Sequence, residues 1–215
     1  MHIEPGYLNA VKITVANASA IGVLFYGIKL AGERFYPATL LKALGAVLTF
    51  TVFMSILSIS IAGVSEIHFI GAVVLYALFG YVATLIAFPV GLLIQGFFFA
   101  PSDLVHIGVN TLSLIIPLIV LHKTLGRRFF EKKTYGIISL SKLIRLDAIY
   151  YSGVTAMVGF WLISSDVVTP LHAWAKFSVA YAPVALGEAL LTWTILNLVS
   201  YVRSGETRSY LHLQR

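Results

Sequence analysis

Long apolar runs separated by short polar and basic breaks recur along the whole chain. One helical crossing of a bilayer needs about 20 mostly apolar residues. Measured against that length, the runs place spans at Tyr7 to Leu30, Thr39 to Ala62, His68 to Phe79, Tyr81 to Phe99, Leu104 to Leu121, Ile149 to Ile163 and Trp174 to Tyr201. The third and fourth share one unbroken apolar stretch, so both must be short or tilted, and Gly80 is the expected turn between them. The last run is too long for one crossing, and Pro183 is expected to kink it or to divide a short outer helix from the spanning part. Lys12 falls inside the first span, near enough to its outer end to snorkel.

Composition agrees with this pattern and excludes a soluble domain. Of 215 residues, 59% are hydrophobic and 11% charged, and the mean hydropathy is +0.90. The expected fold class is an all-α polytopic membrane protein of about seven transmembrane helices, forming a single domain over residues 1–215. No basic, cleavable signal segment precedes the first run. Cysteine is absent, which excludes disulfides, thiolate zinc sites and thiol catalysis together. The net charge of +6 reports orientation before it reports any nucleic-acid partner. Lys29, Arg34 and Lys42 surround the first loop, Lys123, Arg127, Arg128, Lys132, Lys133, Lys142 and Arg145 the long fifth loop, and Arg203, Arg208 and Arg215 the tail. If those segments are cytoplasmic, seven spans leave the N-terminus outside and the C-terminus inside, in a multi-pass cell-membrane protein. His2, His68, His106 and His172 then lie at the outer face, and His122 and His212 at the inner one.

The start Met1-His2-Ile3-Glu4-Pro5-Gly6 is a potential chelate. The α-amine of Met1, the amide nitrogen of His2 and the His2 imidazole can close two fused rings around one small cation. Met1 is expected to be retained, because the residue after it is large. His68 lies in Gly63-Val64-Ser65-Glu66-Ile67-His68, where a turn is expected to enter the third helix, and an ionisable group there reads either as functional or as a hydrated interfacial histidine. Its imidazole would complete a planar set of four nitrogens, suited to Ni(II) and Cu(II) and acceptable to low-spin Co(II).

These residues carry a family resemblance. Met1-His2-Ile3-x-x-Gly6-x-Leu8, Ser65-x-x-His68, Gln95-x-x-x-Phe99, Gly108-Val109-Asn110-Thr111 and Pro183 to Thr192 resemble, in order, the CbiM/NikM family, the substrate-capture (S) components of energy-coupling factor importers for cobalt and nickel. The resemblance implies that Met1, His2 and His68 bind Ni2+ or Co2+ as transported substrate, with Ser65, Glu66, His106 and Asn110 supporting them. It also implies a membrane coupling (T) subunit, cytoplasmic ATPase subunits and an optional small accessory membrane subunit, with no prosthetic group and no enzymatic activity in this chain. A missing Walker A motif agrees, since the energy must then come from elsewhere. The sequence departs from the family at Glu66, where a small or hydroxyl residue is expected, at Ala100-Pro101-Ser102-Asp103, which replaces a Gly-rich turn, and at His106.

Two competing functions start from the same residues. His106-x-x-x-Asn110 resembles the oxyanion-supporting pair of rhomboid intramembrane proteases, but the only Gly-x-Ser, Gly63-Val64-Ser65, comes too early and lacks its final Gly. A scaffold or channel subunit would explain how few charges the spans contain. Against it stands Glu188, an unpaired carboxylate in the last span, whose expected role is a hydrogen bond to a neighbouring helix rather than ion ligation. Ala16 to Ala20 and Ala43 to Val47 place small residues four apart, a pattern for close helix packing that more often serves the interior than a partner. The basic fifth loop suits anionic lipid by default.

Overall fold

The structure, a computed structural model, describes residues 6–33, 37–56, 58–61, 65–130 and 139–213. Helices α1 (Ala10–Gly32), α2 (Pro37–Ile56), α3 (Ala72–Phe79), α4 (Tyr81–Phe98), α5 (Ile107–Leu121), α6 (Arg127–Phe130), α7 (Leu140–Ile163) and α8 (Leu171–Leu213) follow in order. A two-stranded hairpin, β1 (Ser58–Ile61) and β2 (Ser65–His68), separates α2 from α3. Among the described residues, six helical segments are long and apolar enough to cross a membrane.

The third predicted span is the instructive exception. Instead of a helix from His68, the chain runs as strand β2 and turns helical only at Ala72. Eight residues of helix rise only about 12 Å, and four of strand add about 13 Å, so the two together cover what neither could alone. The contacts agree, because His68 lies beside Met54 near one end of α2, whereas Phe79 packs on Gly45 nearer the other. Strand backbone at this depth is tolerated only when protein surrounds it. Ser65, Ile67, His68 and Ile70 are all buried. The junction turns at Gly71, whose φ of 68° lies in the left-handed region. A Cβ there would also meet the Phe53 ring at 2.3 Å. Glu188 of α8 closes the junction by accepting a hydrogen bond from the Ile70 amide at 2.6 Å, a backbone group outside any helix, whereas the sequence suggests a neutral side chain bonded to a neighbouring helix.

Other boundaries also shift. α7 begins nine residues before the predicted Ile149, and the fifth loop is shorter than its charges suggested, because a π-helical turn (His122–Gly126) and α6 extend α5. Pro183 lies inside one unbroken helix and does not divide it. Gly80 does separate α3 from α4, with φ of 88°.

Small residues set the closest helix crossing. Ala16 and Ala20 of α1 are buried, and a Cβ on Gly108 would fall 2.4 Å from the Asn17 backbone. Asn17 fixes that crossing, its Oδ1 accepting from the Gly108 amide at 2.7 Å. The small-residue face of α1 is thus spent, at least here, on internal packing. Gly108→Ala should lower stability in detergent by more than the about 1–3 kcal/mol usual for overpacking, because backbone cannot rotate aside. Thermal unfolding of the purified variant checks this, and an unchanged midpoint would contradict it.

Candidate metal site

Strand geometry is what gives His68 its surroundings. Alternate residues of a strand share a face, so Glu66 and His68 point the same way, and Glu66 Oε2 lies 2.9 Å from His68 Nε2. A helix would have set side chains two apart in different directions. Glu66, out of place by the family pattern, therefore covers the imidazole, and its side chain remains 33% exposed while that of His68 is 1% exposed. The other ring nitrogen, Nδ1, donates to the Met54 carbonyl at 3.3 Å. Such a bond to a backbone carbonyl assigns the tautomer that leaves Nε2 as the coordinating atom. The backbone is held as well, the His68 amide donating to the Tyr181 hydroxyl at 3.2 Å.

The remaining predicted residues divide. Ser65 lies on the opposite face of β2, fully buried, and its Oγ has no hydrogen-bond partner among the described residues. Among the described residues no base hydrogen-bonds that hydroxyl. His106 and Asn110 stand one turn apart at the outer end of α5, each 1% exposed. Met1, His2 and Glu4 lie outside the described residues. Among the described residues no three His, Cys, Asp or Glu side chains converge as a ready metal site. Met54, Tyr181 and Asn17 were missed, and only Asn17, inside the small-residue run, carried a sequence signal.

The chain leading to the N-terminus is clamped at the same end of the bundle. Asn9 caps α1, accepting from the Lys12 amide at 3.0 Å, and the Asp166 amide donates to the Tyr7 carbonyl at 3.1 Å. Lys12, expected to snorkel, pairs with Asp166 at 2.8 Å. The hydrogen bond donated by Lys12 holds the Asp166 carboxyl below the usual carboxylate range. A carboxyl lowered in the folded state stabilises at pH above its unfolded value of about 3.9 and ceases to do so only as pH falls through its folded value. The clamp is therefore unaffected by pH changes near neutrality. At the opposite end, Tyr26, Lys42, Tyr81, His122, Lys123 and Arg127 line a cavity of about 720 Å³. There His122 stacks on Tyr81 with ring centroids 3.8 Å apart, far along the bundle from His68.

Two solved structures share the fold. One, titled as the crystal structure of a truncated transition metal transporter, superposes with a TM-score of 0.74 at 20% identity, covering 93% of this chain and 98% of that one. Another, titled as a transition metal transporter, gives 0.72 at 22% identity, covering 99% and 96%. No curated protein matches the chain. The family described as the cobalt uptake substrate-specific transmembrane region (CbiM) matches residues 2–205. With six apolar membrane-length helices and a match over nearly its whole length, this chain belongs to the CbiM cobalt-uptake family and is a multi-pass membrane component of metal transport.

Proposed function

We propose that this chain captures Ni2+ or Co2+ at the outer membrane face through Met1, His2 and His68. It would hand the ion to an energy-coupling factor importer built with a membrane coupling subunit, cytoplasmic ATPases and an optional small accessory subunit. The observation that carries the reading is His68, a buried imidazole with Nδ1 engaged by a carbonyl and Nε2 directed at a partly exposed carboxylate. Since Nδ1 already donates, the close approach of Nε2 and Glu66 requires a proton between them, and an arriving cation replaces it. Glu66 thus serves the empty site by neutralising the imidazole, and its carboxylate stays nearby as a negative charge that favours the cation. The clamp through Tyr7, Lys12 and Asp166 supports the reading by holding the chain just after the proposed chelate at the end of the bundle where His68 lies.

Binding must release protons from the imidazoles, the α-amine and the His2 amide. Imidazole titrates near pH 6.5 and an α-amine near 7.7–8.0, so affinity should collapse between roughly pH 7.5 and 5.5. Because the Asp166 clamp does not change over that window, release of that clamp would not be the cause. Equilibrium dialysis with Ni2+ and with Co2+ across the window, on protein verified as folded, tests this. A flat affinity would assign the ion to carboxylates such as Glu4, Glu66 or Asp103.

A further inference from the structure

Two carboxylates lie buried inside the helix bundle and neither belongs to the proposed metal set. Asp147 on α7 and Glu188 on α8 are each 1% exposed. Tyr151, one turn beyond Asp147 on the same face of α7, donates its hydroxyl to Glu188 Oε1, which also accepts from the Ile70 amide. Glu188 Oε1 is therefore well served. Asp147 Oδ1, Asp147 Oδ2 and Glu188 Oε2 are buried without a hydrogen-bond partner among the described residues. The two carboxylates are close enough for each to feel the other's charge.

Positive charge must come from somewhere. The groups acting on the pair are Tyr150 and Tyr151 of α7, Tyr181 of α8 and the amides of Ile70 and Gly71 before α3. From α5 the contact is the Leu114 carbonyl, which accepts from Tyr150. No Lys, Arg or His acts on either carboxylate among the described residues. Two unneutralised charges side by side at this depth would be strongly disfavoured. A single proton on the pair would remove one of the two charges, and a proton needs only one acceptor.

We propose that Asp147 and Glu188 form an intramembrane proton-binding site, in which Asp147 carries one proton at neutral pH and Glu188 remains the anion that caps the β2–α3 junction. The assignment follows from the hydrogen bonds. Glu188 accepts from an amide and a phenol, which favours its ionised form, while Asp147 accepts from none of the described residues. The proton removes the second negative charge from beside the junction that carries His68, and so lets a carboxylate serve as a backbone cap inside a membrane protein.

Infrared spectroscopy of the full chain in lipid vesicles at neutral pH tests the site, because a protonated carboxyl has a carbonyl stretch separate from that of carboxylates. The wild type should show an acid band that is lost in Asp147→Asn and kept in Glu188→Gln. Asp147→Asn, a neutral mimic, should bind metal within about twofold of wild type. If that variant fails to fold, heavy-carbon aspartate in the wild type gives the same answer by shifting the band. An acid band absent from the wild type, unmoved by the label or retained in Asp147→Asn, would overturn the proposal, as would a stoichiometric bound cation in its place.

Discussion

Adding a single Gly ahead of Met1 should abolish high-affinity metal capture while leaving insertion and folding intact. In the proposed site the Met1 α-amine and the His2 amide nitrogen are joined through one carbon and one carbonyl, which fixes a five-membered ring around the ion. An added residue converts the amine of Met1 into an amide and moves the free amine three atoms further along. The described bundle does not sense that change, since its nearest fixed points, the Tyr7 carbonyl and the Asn9 cap, lie well inside the chain. Even the loss of a hydrogen bond behind a metal ligand lowers affinity about 10–100-fold, so capture that needs His68 should fall more than about 100-fold, although the new start Gly-Met-His can hold an ion with four nitrogens of its own. Adding His68→Ala to the extended chain separates the two modes, read as metal bound per folded protein. Affinity that is unchanged by the extension and still lost with His68→Ala would sink the chelate.

The second large effect concerns the imidazoles. His2→Ala removes a chelate ring and His68→Ala removes the fourth in-plane ligand, so each should lose more than about 100-fold in affinity by the same reasoning. His122→Ala is the control. His122 hydrogen-bonds Tyr76 through Nδ1 and stacks on Tyr81, so its loss should lower thermal stability at the inner end without changing metal bound per folded protein. The pair of readouts separates chemistry from folding. If all three variants lost metal in equal measure, the histidines would be acting through stability alone.

How much of this was legible in the residues depends on what each feature needed. Helices α1, α2, α4 and α5 follow from runs of apolar residues, because crossing a bilayer demands length above all. Gly80 was legible for a different reason, since it interrupts a stretch too short for two full crossings. The hairpin was not legible. Ser-Ile-Ser-Ile and Ser-Glu-Ile-His are short enough to be absorbed into neighbouring apolar runs, and the strand backbone is satisfied there by its partner strand, the Tyr181 hydroxyl and the α8 carboxylate that caps Ile70. That error altered the site's description more than its membership. His68 was found from its position, but its partnership with Glu66 depends on strand alternation, and the Met54 carbonyl behind it has no side-chain signature at all. Asp147 was passed over because its position near the inner end of α7 reads as the edge of a basic loop. Only the earlier helix start, at Leu140, carries it inside.

The central claim is that nitrogen atoms from the first two residues and His68 hold the transported ion. X-ray absorption of the metal-loaded, purified protein reads that claim directly, because edge shape and scattering distances report ligand type and geometry together. With Ni2+, the account predicts a planar shell of four nitrogens, the arrangement this ion favours among nitrogen donors. An octahedral, oxygen-rich shell would contradict it and move the site to carboxylates and water.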